Sequence, residues 1–415
     1  MRGIRPHGRN IKRGKSHMAA LTGLRILDLT QYEAGPSCTQ ALAWLGAEVV
    51  KVESPGGGDP GRTLNPGYFQ DSEYFMNWNS NKRSIVINLR DPKGRQLLLD
   101  LAPQFDVFIE NFGPGVVEKL DIGYDVIKNC HPQVIYAQIK GFGLTGPYAD
   151  YKCFDMVAQA AAGSLSITGE PDGPPMRPGP TLGDAGTGVQ MALAITAAYA
   201  QKLRDGTGQH IELSMQEAVT YYMRTMIALG ANGGTSVAPR MGNELDATVN
   251  LFPSKPFGKN DYVYIMSVTD PHWTLFCKTI GHPELATDPR FVDKPTRNVH
   301  GAELKEIIAA WTSQRTKKEA MHELCEAGIP ASAVFDTIDI FSDPHLTSRG
   351  FISEMPYGEE GKKIPMLGWP ARMSESSVPI DIAPGLGDHT KEVLQSELGL
   401  SGEAVEQLMA AGVVV

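Results

Sequence analysis

Short apolar runs rich in β-branched residues alternate with stretches of helical spacing through the first third of the chain, and that alternation admits few folds. LRILDLT (24–30), AEVVKVE (47–53), SIVINL (84–89), DVFIEN (106–111) and VIYAQIKGF (134–142) read as strands. Between them, Ser37 to Leu45, Pro92 to Leu101 and a short stretch from Val116 to Leu120 read as helices. A strand, helix, strand order of this kind predicts an α/β, Rossmann-like, doubly wound large domain, here residues 18–227. The first turn, TQYEAGPS, holds a single glycine where a dinucleotide fingerprint needs GxGxxG, so a nicotinamide cofactor draws no support from it. From Ala228 to Asp246 the chain turns Gly-, Asn- and Pro-rich, which marks a hinge or loop. A strand (DYVYIMSV) and helices at His272 to Ile280, Ala302 to Ser313 and Lys317 to Ala327 follow, and predict a smaller α+β domain over 228–331.

Composition narrows the class. With 415 residues and 42% hydrophobic content, the chain can bury more than one core. The five cysteines, Cys38, Cys130, Cys153, Cys277 and Cys325, are scattered, odd in number and without a CxxC pair, a pattern of reduced thiols and no zinc site in a cytoplasmic enzyme. The dispersed histidines form no HxH or HxxxH pair, so no metal site is expected. Apolar runs all fall short of the roughly 18 to 20 residues of a membrane span. Residues 1–17 carry six Lys or Arg and no acid, and end in a vector-like SHM; they read as a tag or leader before Met18. Removing those six positive charges takes the formal net charge from −9 to −15. So acidic a body argues against nucleic acid as a partner, and an anionic ligand would need a local basic patch.

One acid stands apart. Asp184 lies among Gly183, Gly186 and Gly188 in a turn-forming segment that begins at FDMVAQ (154–159), and the apolar run from Val189 to Ala200 after it reads as a buried helix. A carboxylate near a helix N-terminus is either a cap or a stabilised anion available as a nucleophile, and the residues alone leave both readings open. The glycines are expected to leave room for a substrate beside it. Asp155, with VAQAAAG following, reads as the anchor of a helix or turn.

Longer motifs resolve the choice. LTGLRILDLTQYEAGPSCTQALAWLGAEVVKVE (21–53), NKRSIVINL (81–89), ENFGPG (110–115), IKGFGLTGPY (139–148), FDMVAQAAAGSLSITG, LGDAGTG, GTGQHIELSMQEA (206–218), GIPASAVFDTIDIFSDPH (328–345) and PGLGDHTKEVL (384–394) occur in this order. In that order the chain resembles the class III CoA-transferases, the family of formyl-CoA transferase and carnitine CoA-transferase. The resemblance covers nearly everything after Met18. It implies that residues 332–415 return to the large domain, that two chains interlock as a homodimer (a hetero-oligomer is the other arrangement), and that CoA and acyl-CoA are substrates with no prosthetic group.

The resemblance also implies roles. Asp184 falls on the family's nucleophile, which takes the acyl group from an acyl-CoA donor, succinyl-CoA being one candidate, as a mixed anhydride, exchanges it for CoA as an aspartyl thioester, and passes CoA to a free carboxylic acid. Tyr32, Glu33, Ala34, Asn111, Phe112, Lys119 and Lys140 fall on CoA-contact positions, and Lys82 and Arg83 are added as cations for its phosphates. Phe142 is placed in the substrate pocket, Gly230, Gly233 and Gly234 in a lid, and Tyr221, Tyr222, Met223 and Met226 either in an acyl pocket or in the core. Glu33 replaces a Gln of the members that handle oxalate, and their run of four glycines is not intact here, which favours another carboxylate. A racemase on the same scaffold would need a His where Phe154 stands, to move an α-proton. The third reading is a CoA-binding subunit without activity of its own.

Overall fold

A computed structural model describes residues 18–64, 72–357 and 362–415; the basic leader lies outside the described residues. The strand and helix alternation becomes β1 (Arg25–Asp28), α1 (Ala34–Trp44), β2 (Glu48–Glu53), α2 (Glu73–Asn79), β3 (Arg83–Val86), α3 (Pro92–Leu101), β4 (Val107–Glu110), α4 (Val116–Lys119), α5 (Tyr124–Cys130) and β5 (Ile135–Lys140). After α6 (Asp155–Ala161) come α7 (Thr187–Asp205) and β6 (Gln209–Ser214). The six strands form one sheet in the order β3-β2-β1-β4-β5-β6, with every neighbouring pair parallel. That is the doubly wound order expected, and it reverses direction between β1 and β4.

Helices cover both faces because the strands are apolar on both. Along β1, Ile26 points into one core with Val49, Val107 and Ile135, while its neighbour Leu27 points into the other with Val50, Ile85, Phe108 and Tyr136. Each such side chain, fully buried, is worth about 1.5–3 kcal/mol. Leu42 of α1 and Met191 and Ile195 of α7 close the first core; Leu98 of α3 and Val393, Leu394 and Val405 from two C-terminal helices, Thr390–Leu398 and Gly402–Ala410, close the second. The sixth strand escaped the sequence reading. Gln209, His210, Glu212 and Ser214 make it the polar edge of the sheet, and its side chains stay half-buried for the most part.

Contacts divide the chain into two units: residues up to Ala158 with Thr181–Val219 and Ser353–Val415, and Gln159–Pro180 with Thr220–Ile352. The second unit has its own antiparallel sheet, Val249–Pro253, Tyr262–Met266 and Ala331–Ala333, and its own core around Trp273, Phe276, Phe291, Leu304, Ile308 and Leu324. It is the α+β body expected, with different borders. The return to the first unit comes at Ser353, since Ala331–Ala333 still pairs with Tyr262–Met266, and the 159–180 segment belongs to the second unit as well. The helix expected from Val189 to Ala200 forms but is not buried all round: Val189 and Leu193 stand 49% and 71% exposed. Tyr221 and Tyr222 are likewise exposed rather than core, while Met223 is buried.

Candidate active site

At the carboxyl ends of a parallel sheet the backbone turns away into loops, and where the winding reverses two of those loops part and leave a crevice. Here they are the loops leaving β1 and β4. Asn111 ties them together: its Oδ1 accepts from the Gln31 N–H at 2.8 Å and its Nδ2 donates to the Gln31 carbonyl at 2.9 Å. Tyr32 follows with φ 62°, a left-handed conformation that costs a non-glycine residue about 1–3 kcal/mol and needs its surroundings to impose it. Asp59 imposes it, accepting the Tyr32 N–H at 2.9 Å.

Beneath this loop runs a buried chain of charges. Lys51 pairs with Asp59 at 2.8 Å and donates to the Thr30 carbonyl at 2.6 Å; Glu53 accepts the Asp59 N–H at 2.9 Å and holds Arg62 at 2.7 Å. Lys82 donates to Asp28 at 3.2 Å, to the Pro36 carbonyl at 3.1 Å and to Asn79 at 2.8 Å. Burial pulls the Lys82 ammonium down to about 8, while the two lysines hold Asp28 at about 2 against its own desolvation.

Asp184 sits in a single wide helical turn, Leu182–Gly186, that leads directly into α7. Such turns carry an extra residue per hydrogen-bonded ring and recur at functional sites. Asp155, the first residue of α6, builds the turn: its Oδ1 accepts from the Gly183 N–H at 2.8 Å and the Asp184 N–H at 3.3 Å. The anchoring role read for Asp155 therefore falls on the turn that carries Asp184. The glycines pack rather than make room. A Cβ on Gly183 would lie 2.7 Å from the Asp155 carbonyl oxygen, and one on Gly188 would lie 2.0 Å from Ser37 Oγ, so Gly188 is what lets α7 approach α1.

The Asp184 carboxylate caps nothing: no hydrogen bond to its side chain is found among the described residues, and neither the turn nor α7 has a side-chain cap. Instead of the lowered pKa that a helix N-terminus favours, it is pushed up to about 7, first by burial, then by Glu33 and Asp155. Glu33, 4% exposed, accepts from the Thr181 hydroxyl and from Tyr74, and burial raises its pKa as well. Three carboxyl groups thus share one corner of the first unit, and burial raises the pKa of two of them, Asp184 and Glu33.

A cavity of about 320 Å³ opens on Asp184 and is lined also by Tyr32, Ala34, Asn111, Phe112 and Lys140, all of them expected there. A neighbouring cavity of about 580 Å³ shares Gln31, Phe112 and Val116 with it and reaches Lys119 and Arg90. Arg90, just past SIVINL, was missed; its position after a strand's carboxyl end was the available signal. Neither Lys82 nor Arg83 lines these cavities, because Lys82 is consumed by Asp28 and Arg83 is drawn to Glu48 and Glu392. Lys140 lines the first cavity, yet its ammonium is held by Glu110 at 2.9 Å and by the Phe112 carbonyl at 2.7 Å. Phe142 packs in a ring cluster with Tyr148 and Tyr151 instead of lining either cavity. Gly230, Gly233 and Gly234 belong to the second unit, where Gly233 and Gly234 hold left-handed turns at φ 66° and 89°. Cys153 borders Asp184, but burial lifts its thiol to about 11 and leaves it neutral and unreactive. Among the described residues no group of three His, Cys, Asp or Glu is placed to hold a metal, and no helix is long and apolar enough to cross a membrane.

The chain is similar to known proteins along nearly its whole length. The chain is 37% identical over 409 residues to a formyl-CoA:oxalate CoA-transferase of Streptomyces avermitilis, covering 95% of this chain and 99% of the relative. It is 37% identical over 418 residues to the enzyme of that name from Bradyrhizobium diazoefficiens, covering 95% and 97%. Among solved structures, a CAIB/BAIF family protein from Brucella suis superposes with a TM-score of 0.82 at 32% identity, over 91% of this chain and 99% of that one. Rv3272 from M. tuberculosis superposes with a TM-score of 0.76 at 28% identity, over 90% and 98%. The sequence model described as CoA-transferase family III matches residues 21–390, and the chain belongs to that family.

Proposed function

We propose that this CoA-transferase moves CoA from an acyl-CoA to a free carboxylic acid through covalent intermediates on Asp184. The observation that carries the reading is a carboxylate at a cavity wall that caps no helix and is fixed through its backbone by Asp155. An ionised Asp184 attacks the thioester carbonyl; the C–S bond breaks, CoA leaves as thiolate, and an aspartyl anhydride remains. The thiolate then attacks the aspartyl carbonyl, expels the acyl group as a carboxylate, and forms the aspartyl-CoA thioester. An acceptor carboxylate attacks that carbonyl in turn, and the returning thiolate takes the acceptor's acyl group, restoring Asp184. Splitting the exchange into such steps lowers each barrier.

CoA would lie along the two cavities, its thioester at Asp184 and its phosphates toward Lys119 and Arg90, for which no ion pair is found among the described residues. Formyl-CoA and oxalate, the pair in the relatives' names, are the first donor and acceptor to test, with succinyl-CoA as a second donor. A racemase reading lacks a base at Phe154, whose ring accepts no proton. The exposed apolar face of α7 at Val189 and Leu193 supports a homodimer. The test is to incubate the protein with each acyl-CoA, quench with hydroxylamine, and search peptides by mass spectrometry. A hydroxamate on Asp184 is expected with a productive donor. Intact Asp184 with every donor, despite measured CoA binding, would refute the covalent route.

A further inference from the structure

The carboxyl groups around Asp184 exceed what the transfer needs. Attack on a thioester requires one carboxylate, yet buried Glu33 acts on Asp184 from behind the cavity wall that its chain neighbours Tyr32 and Ala34 line. Burial raises the Glu33 pKa, and Thr181, three residues before Asp184, and Tyr74 oppose that shift by donating hydrogen bonds that favour its ionised form. Among the described residues no cation is found to act on Glu33 or Asp184; Glu33 and Asp155 act on Asp184, and Asp155 acts on Glu33. Lys140, the cation in the same wall, is neutralised by Glu110, and the exposed Lys152 stands at the cavity's border. When Asp184 is acylated its own charge is gone, and Glu33, with both donors favouring its ionised form, is the acid left behind the cavity wall. The acceptor must then bring a carboxylate into that field, and a second carboxylate on the same small molecule doubles the unfavourable interaction in a poorly screened setting.

From this arrangement we infer that Glu33 selects the acceptor by charge: the chain's acceptor is a monocarboxylic acid, and a compact dicarboxylate such as oxalate is a poor one. The inference rests on the transferase reading above and adds the class of acid that it serves. A charge held behind the cavity wall discriminates without touching the acceptor, through repulsion of the wrong partner rather than a better fit to the right one. It also predicts that an uncharged isostere at this position removes the discrimination while the hydrogen-bonding shape stays.

The test compares the wild-type protein with Glu33→Gln at about pH 8, where Asp184 is ionised, using one productive acyl-CoA donor and a panel of acetate, propionate and lactate against oxalate and malonate. New CoA esters are quantified by mass spectrometry, and kcat/KM is obtained for each acid. The wild type should prefer the monocarboxylates by at least about tenfold, and Glu33→Gln should shift the ratio of dicarboxylate to monocarboxylate kcat/KM upward by about 10- to 100-fold. A wild-type preference for oxalate overturns the inference, whatever the fate of the variant. So does an unchanged ratio in a folded variant that still makes esters. If neither protein forms a new ester with any acid, the transferase reading falls and takes this inference with it, an outcome distinct from the other two.

Discussion

Asp184→Asn removes one negative charge from a buried corner while keeping the side chain's shape, and its effect on stability follows from the site. In the folded protein the Asp184 carboxyl titrates at about 7, against an ordinary 3.8. A raised acid binds its proton more tightly in the folded state than in the unfolded one, so the wild type loses stability as pH rises from about 4 to about 7 and loses no more above that. Each unit of pKa difference is worth about 1.4 kcal/mol, and the stretch between about pH 5.5 and the folded pKa therefore carries about 2 kcal/mol. Asparagine does not titrate. The variant's advantage over wild type should grow by about 2 kcal/mol between about pH 5.5 and pH 8, then stay level to about pH 9. Urea unfolding of both proteins at each pH measures it, with the m-value checked for constancy. A difference that does not change with pH over this range would mean that Asp184 keeps an ordinary or a lowered carboxylate pKa, and the argument from burial and like charges would be wrong. A carboxyl held ionised by an unrecognised cation or donor would leave this range just as flat, because its titration would fall below about pH 4.

Other perturbations probe the frame around it. Gly188→Ala drives a methyl into Ser37 and should cost about 3 kcal/mol in urea unfolding, since neither helix backbone can yield without moving the sheet contacts below. Lys82→Met removes the ammonium bonded to buried Asp28, leaving only the more remote Lys51 to offset its charge, and should cost about 3–5 kcal/mol by the same measurement. Asp155→Ala deprives the Gly183 N–H of its side-chain acceptor and leaves the Asp184 N–H only the Thr181 carbonyl, and should lower kcat by about 100-fold, whereas Asp155→Asn, which keeps an oxygen, should recover most of it in steady-state assays. Lys119→Ala should raise KM for the acyl-CoA by about tenfold and leave kcat and the hydroxamate on Asp184 nearly unchanged, the pattern of a group that binds phosphate and takes no part in bond making.

Much of the frame was legible because the first sheet is parallel and buried on both faces: continuous apolar strands such as LRILD and AEVVKV declare themselves by composition. Gln209–Ser214 did not, because an edge strand buries little and has no need of an apolar pattern. Asp184 stood out by its neighbours in sequence, but its electrostatics did not. The residues that raise its pKa come from positions 33 and 155, and nothing along the chain says that those loops meet. The same blindness explains Lys82 and Arg83. A basic pair after a turn looks like an anion site until the fold supplies Asp28, Glu48 and Glu392 as partners. The glycines of the LGD segment misled in the opposite direction, since a glycine needed for close packing and one needed to admit a ligand look identical in sequence.

The contact at Gly188 has a consequence beyond packing. Glu33 immediately precedes one helix and Asp184 sits in the turn that opens the other, and the two helices are spaced by a hydrogen atom against a serine hydroxyl, with Cys38, Ala41, Leu42, Met191 and Ile195 packed along the rest of the seam. The separation between the two acids is therefore a hard-sphere dimension of the scaffold, set by contact distances and not by rotamer choice. The acid strength of Asp184 becomes a gauge of helix spacing: a volume change far down the seam, at Ala41 or Met191, should be readable as a shift in the pH at which the carboxylate ionises.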